Sequence, residues 1–291
     1  MSFVERAVMP MRELGAYEAL WMRKGTSFKS LADYFRIHPD ALPSNFVCAT
    51  DIERYAALAL GTIRHARIGH FGLRIHGAGE YPPRLRDAKH PLALLYFMGN
   101  WDLVSSRCVA IIGTRTPSEE GRRTAAKLTQ LLVADRFTIV SGLARGIDTV
   151  AHTTALTEGG FTIAILGTPI TECYPSENRG LQHRISSRHL VVSQVPIVHY
   201  AQQPLRVKRG FFPERNSTIS AMSEATIVVE AADSSGTLTA ARHALDQGRP
   251  LFILDSCLKN RSLSWPRVLL NRGAIRVREY QDIQQHLSRA S

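Results

Sequence analysis

A series of short, continuous apolar runs from residue 108 onward limits most strongly what this chain can fold into. They read CVAIIG (108–113), FTIVSG (137–142), FTIAILG (161–167), LVVSQV (190–195), ATIVVEA (225–231) and PLFILD (250–255), with a shorter AIRV at 274–277. A strand with one face in water alternates polar and apolar residues; an unbroken run means both faces are covered. Between the runs, apolar residues recur at three- and four-residue spacing. This predicts helices at about 118–135, 146–158, 214–224 and 236–247. Strands alternating with helices give an α/β fold, a doubly wound and mostly parallel sheet.

The chain before these runs reads differently. LGAYEALWMR, FKSLADYFRI and DIERYAALALGTIRHARI carry helical spacing, with HPDALPS as the turn between the last two. The stretch GAGEYPPRLRDAKHP (77–91), rich in Gly and Pro, reads as a connecting loop. The expected organisation is a small helical region over 1–76 followed by the α/β domain over 77–291. Residues at the amino terminus include Glu5 and Glu13 among the apolar ones, which does not suit a secretory signal. No apolar run approaches the length of a membrane span, so the expectation is a soluble, cytoplasmic protein.

Cys48, Cys108, Cys173 and Cys257 are far apart with no paired spacing, and the eleven histidines are scattered. Neither a disulfide scaffold nor a zinc site is called for, and no cofactor is implied. Cys108 and Cys257 adjoin apolar runs, where a free thiol behaves as a small hydrophobe.

Charge gives the first hint of a partner. Lys plus Arg number 36 against 25 for Asp plus Glu, a net charge of +11. Between Arg179 and Arg215 stand Arg179, Arg184, Arg188, Arg206, Lys208, Arg209 and Arg215 against Glu214 alone. Such a cluster favours a polyanion through release of its counterions, although a solvated basic face has the same composition.

In a doubly wound sheet, ligands meet the carboxyl ends of the strands. Three runs end there in glycine: Gly113, Gly142 and Gly167. The first loop, Gly113-Thr114-Arg115-Thr116-Pro117-Ser118, places Arg115 at the strand exit with Ser118 as helix cap. Arg115 is suited to a phosphate, or to a carboxylate such as Asp148. The second runs from Ser141 and Gly142 to Asp148 and His152, which share one helix face. With no nucleophile beside them, they read as a structural pair rather than an acid and base. The third, Phe212-Pro213-Glu214-Arg215-Asn216, predicts a helix opening at Pro213 with Arg215 and Asn216 near its amino end. The fourth, Ser234-Ser235-Gly236-Thr237, opens another helix with hydroxyls and amides suited to phosphate or to capping. There is no GxxxxGK[ST], GxGxxG or GxSxG, which leaves nucleotide-triphosphatase, dinucleotide and common hydrolase readings unsupported.

Taken together, these segments resemble the DNA-processing protein A (DprA/Smf) family. The matching stretches are YPPRL (81–85), VAIIGTR (109–115), SGLARGIDTVAHTTAL (141–156), GGFTIAILG (159–167) and YPSEN (174–178). They continue with FFPERN (211–216), EAADSSGTLTAARHALDQGR (230–249) and NRGAIRV (271–277). The resemblance implies a Rossmann-like domain that forms a homodimer and binds single-stranded DNA without covalent chemistry. It also implies that the strand is passed to the RecA recombinase in recombination or natural transformation. By position, Arg115 matches the family's GSR arginine, Ser141 and Gly142 its SG turn, and Arg215 and Asn216 its FPxRN. The implied phosphate pocket comprises Gly113, Thr114, Arg115, Ser141, Gly142, Arg215, Asn216, Ser235, Gly236 and Thr237, with Arg145 following the backbone. Phe211 or Phe212 is available for base stacking, with at least one expected in the core.

The chain departs from the family in two places. Gly167-Thr168-Pro169-Ile170-Thr171-Glu172-Cys173-Tyr174-Pro175 stands where members often read GxGxDxxYP, and Ser217 and Thr218 replace the last two residues of RNRI. A role in a mobile element or in defence stays open beside transformation. So do two readings of another class, a nucleotide sensor and a phosphoribohydrolase of the kind marked by PGGxGTxxE. In the latter, Ala240 occupies the glutamate position.

Overall fold

The apolar runs become the strands of a nine-stranded sheet in the computed structural model, which describes residues 8–86 and 90–288. The strands are β1 (Gly72–Ile75), β2 (Leu94–Gly99), β3 (Cys108–Ile112), β4 (Thr138–Ser141), β5 (Thr162–Leu166), β6 (Leu190–Ser193), β7 (Ala225–Val228), β8 (Leu251–Leu254) and β9 (Ile275–Val277). Their order is β1-β2-β6-β5-β4-β3-β7-β8-β9. From β6 to β9 every pairing is parallel, while β2 joins β6 and β1 joins β2 antiparallel. The fold is the Rossmann-like, doubly wound and mostly parallel sheet expected from the sequence, with helices at its amino end.

Burial explains the unbroken runs. All five residues of β3 are buried. Cys108, Ala110 and Ile112 enter one core, and Val109 and Ile111 enter the other. Helices Glu119–Ala134 and Ile147–Thr157 cover the second core with Leu128, Leu132 and Ala151. The first core is closed by Ile185 of helix Arg179–Arg188, Phe211 and Ile219 of helix Leu205–Ala221, and Leu238 of helix Thr237–Asp246.

Two differences from the sequence reading bear on the site. Strands β1 and β2 lay outside the apolar series: β1, four residues long, alternates in burial, whereas β2 carries the apolar run Leu94-Leu95-Tyr96-Phe97-Met98, which a series starting at residue 108 did not include. The helix expected from 214 begins instead at Leu205 and carries Pro213 in its interior. Proline is tolerated there at the loss of one backbone hydrogen bond, because Phe211 and Ile219 on either side are buried. The segment read as a loop over 77–91 holds a short helix, Pro83–Arg86; its residues 87–89 lie outside the described residues.

The amino-terminal helices Pro10–Trp21, Phe28–Ile37 and Ala49–His65 lie against the first core. Tyr17 donates to the Gln194 carbonyl at 2.6 Å. The fully buried Glu18 accepts from Tyr96 of β2 and from the Ile197 and Val198 amides at 2.7 and 2.9 Å. A buried carboxylate is tolerated when donors surround it, and here they include the first amides of helix Ile197–Ala201.

All four cysteines are free, with Cys108 and Cys257 buried. Burial pushes their thiols up, to about 11 and about 12.

Candidate functional site

The crossovers from β3 to β6 run to one side of β3, while the one that follows β6 places β7 on its other side, and at this switch point a crevice opens at the carboxyl ends. A recess of about 130 Å³ lies there, lined by Arg115, Thr116, Gly142, Ala144, Arg145, Tyr174, Pro175, Phe212 and Arg215. These residues follow β3, β4 and β5 or come from helix Leu205–Ala221.

The floor is built around Arg215. Its side chain is buried, and Nη1 donates to the carbonyls of Gly142 and Ile165, the latter at 2.5 Å, while Nε donates to Asn216 Oδ1 at 3.2 Å. Asp148 lies close by, accepting from the Gly142 and Ala144 amides at 3.2 and 3.3 Å. Burial pushes the Asp148 carboxyl up, against the pull of Arg215 and the amides; it lowers Arg215 to about 10. The partner available to Asp148 is therefore Arg215 rather than Arg115. Gly142 is required by this closeness: a Cβ there would stand 2.2 Å from Arg215 Nη1.

The rim is basic and aromatic. Arg115 is exposed and makes no hydrogen bond or ion pair with any described residue. Its guanidinium lies 5.9 Å from the centre of the Phe212 ring. Tyr174, 53% exposed, meets Phe212 edge to face with ring centres 5.3 Å apart. Arg145 is exposed and paired with the equally exposed Glu177. Gly167 lets Phe212 approach the backbone, since a Cβ would stand 2.4 Å from the ring.

Of the residues singled out in the sequence, Arg115, Gly142, Arg145, Phe212 and Arg215 line the recess. The others hold its loops. Ser141 donates to the Ile111 carbonyl at 2.6 Å, and the Thr114 amide to the Glu230 carbonyl at 2.7 Å. The carbonyl of Gly113 accepts from Thr237 at 2.8 Å, Ser235 donates to Thr237 at 2.9 Å, and Asn216 donates to the Gly236 carbonyl at 3.1 Å. Ser118 caps helix Glu119–Ala134 as expected, its hydroxyl accepting from Gly121 at 3.0 Å. Glu230 also occupies that helix start, taking the Ser118 hydroxyl at 2.8 Å. Asp148 and His152 take different partners. His152 bonds Thr162 Oγ1 at 2.7 Å, and burial beside Arg215 lowers it to about 3, so its ring is neutral.

Thr116, Ala144, Tyr174 and Pro175 were not picked out as site residues. Tyr174 follows β5 at the position of the family's YP pair, which was its one signal. Phe211 is buried among Trp21, Phe28 and Tyr200, and its neighbour Phe212 turns to the recess. Among the described residues no group of His, Cys, Asp or Glu is placed to hold a metal, and no helix is long and apolar enough to cross a membrane.

The fold and site thus define a doubly wound α/β protein with a basic, aromatic-edged recess at the carboxyl ends of its sheet. The description of the DNA recombination-mediator protein A family matches residues 73–288. The chain belongs to that family. It is 36% identical over 203 residues to the DNA processing protein DprA of Streptococcus pneumoniae, covering 70% of each chain. It is 40% identical over 179 residues to the protein Smf of Synechocystis, covering 60% of this chain and 44% of that one. The chain thus spans under half of the Synechocystis protein. The solved S. pneumoniae DprA structure superposes with a TM-score of 0.74 at 27% identity, over 96% of this chain and 98% of that one. The Helicobacter pylori DNA processing protein A, described for its single-stranded DNA binding mode, gives 0.64 at 27% identity, over 76% and 97%.

Proposed function

We propose that this chain binds single-stranded DNA at the recess, with Arg115 on a phosphate and a base against Phe212. The observation that carries this reading is Arg115 itself. It is an exposed cation with no partner among the described residues, standing over an aromatic ring at the carboxyl edge of the sheet. An unpaired arginine offers two parallel donors to phosphate, and a ring beside it stacks on any base. Arg145, released from Glu177, and the basic start of helix Leu205–Ala221 extend the positive surface along which a strand is followed. Gly113, Thr114, Ser141, Asn216, Ser235, Gly236 and Thr237 shape the site by holding its loops.

In this reading the amino-terminal helical region over 1–76 and the domain over 77–291 act together as a cytoplasmic homodimer. It coats exposed or incoming strands and passes them to the RecA recombinase, without covalent chemistry. The phosphoribohydrolase reading lacks its carboxylate: Ala240 is a buried helix residue.

The test is fluorescence anisotropy with labelled oligothymidines of increasing length, against duplex competitor, across a salt series, for the wild type and Arg115→Ala. Affinity that grows with length, falls with salt and drops in the variant supports the reading. Saturation by a mononucleotide, or equal binding by the variant, overturns it.

A further inference from the structure

Phe211 and Phe212 are adjacent, yet they serve different parts of the molecule. Phe212 lines the recess. Phe211 is 5% exposed and sits 5.8 Å from Trp21 and 5.9 Å from Phe28, both in the amino-terminal helices, and 5.5 Å from Tyr200. The backbone gives this part of the helix less support than usual. Pro213 has no N–H to donate to the Arg209 carbonyl, so the turns before it are tied to the rest of helix Leu205–Ala221 by one bond fewer. Their position therefore depends on side-chain anchorage. Phe211 is the buried anchor, and Lys208, stacked 4.7 Å over Tyr200, is the second.

The surface against which Phe211 rests is itself organised by the amino-terminal helices. Trp21 packs on Phe28 at 4.7 Å and on His199 at 5.5 Å. Three residues earlier, Glu18 accepts the Ile197 and Val198 amides that open the helix carrying His199 and Tyr200. One face of helix Pro10–Trp21 thus holds both the aromatic seat and the segment that leads into the strand-binding helix.

We infer that Trp21, Phe28 and Phe211 are positioning residues for the strand site, setting where Phe212 stands in the recess. This rests on the DNA-binding reading above. It gives the amino-terminal helices a specific role: affinity is set partly by a contact outside the recess, which touches no DNA.

The experiment is a double-mutant cycle on the full chain, read as oligothymidine affinity by anisotropy at a temperature where thermal melts show every variant folded. Phe212→Ala is expected to weaken binding about tenfold, the loss of one stacked base. Phe211→Leu and Trp21→Phe keep an apolar side chain in place with reduced size and altered shape, and each is expected to weaken binding several-fold. In the Phe212→Ala background, the same substitutions should cost nothing further. A merely structural role would leave the affinity of the folded variants unchanged. Losses that multiply with Phe212→Ala, or wild-type affinity in Phe211→Leu and Trp21→Phe, overturn the inference while Arg115→Ala still weakens binding. Wild-type binding by Arg115→Ala overturns the site reading instead.

Discussion

Arg115 and Arg215 both line the recess, but their surroundings predict opposite consequences of losing them. Arg215→Ala removes a guanidinium that is 4% exposed and satisfies the Gly142 and Ile165 carbonyls. It also leaves the buried Asp148 carboxyl beside no cation. Each of the two orphaned buried carbonyls costs about 1–3 kcal/mol where water cannot reach it, and the buried Asp148 carboxyl loses the cation that favours its charged form. Some of this is recovered when Asp148 takes a proton, since burial already pushes its carboxyl up. A net loss of about 4 kcal/mol is expected, equivalent to a fall of roughly 10 °C in Tm for a chain of this size. Arg115→Ala, at an exposed side chain with no partner among the described residues, should stay within about 0.5 kcal/mol of wild type. The assay pairs thermal and urea unfolding with oligothymidine anisotropy on both variants. Arg115→Ala should lose binding with its Tm intact, whereas Arg215→Ala loses Tm and binding together. An Arg215→Ala protein that melts with the wild type would refute the assignment of Arg215 as the floor of the site.

Gly142→Ala should cost about 1–3 kcal/mol and weaken strand binding, because its Cβ meets the Arg215 guanidinium; urea midpoints of Gly142→Ala and Gly69→Ala, whose Cβ would meet nothing within 4 Å, separate this from a general glycine effect. Glu177→Gln frees Arg145 from an ion pair between two exposed, solvent-screened side chains, so stability should hardly change while low-salt DNA affinity rises up to several-fold. Unchanged or weaker binding by that variant would exclude Arg145 from the strand path. His152 is lowered to about 3 by burial, so the unfolded chain takes up a proton below about pH 6.5 that the folded chain refuses. The His152 contribution therefore reduces stability as pH falls from about 6.5 towards 3, by up to about 1.4 kcal/mol per unit. Urea titrations should show a shallower decline for His152→Gln, and identical slopes would contradict a neutral, buried ring.

The apolar runs determined the parallel part of the sheet without help from anything distant, because covering both faces of a strand requires continuous Val, Ile and Ala. The same locality made Ser118 legible as a cap and Arg115 legible at a strand exit. What lay beyond local pattern needed the tertiary structure. Pro213 reads locally as a helix start, and only burial of Phe211 and Ile219 on one continuous helix carries the backbone through it. Arg215 reads as a surface arginine until its helix is seen to place it between the ends of β4 and β5. Asp148 and His152 share a helix face in the sequence, yet Gly142, Ala144 and Thr162, from other elements, decide what each one bonds. Charge and spacing tell which residue types are available for a polyanion. Which of them remain free to meet it depends on which carbonyls, carboxylates and rings the fold brings within reach, and that is a long-range property of the chain.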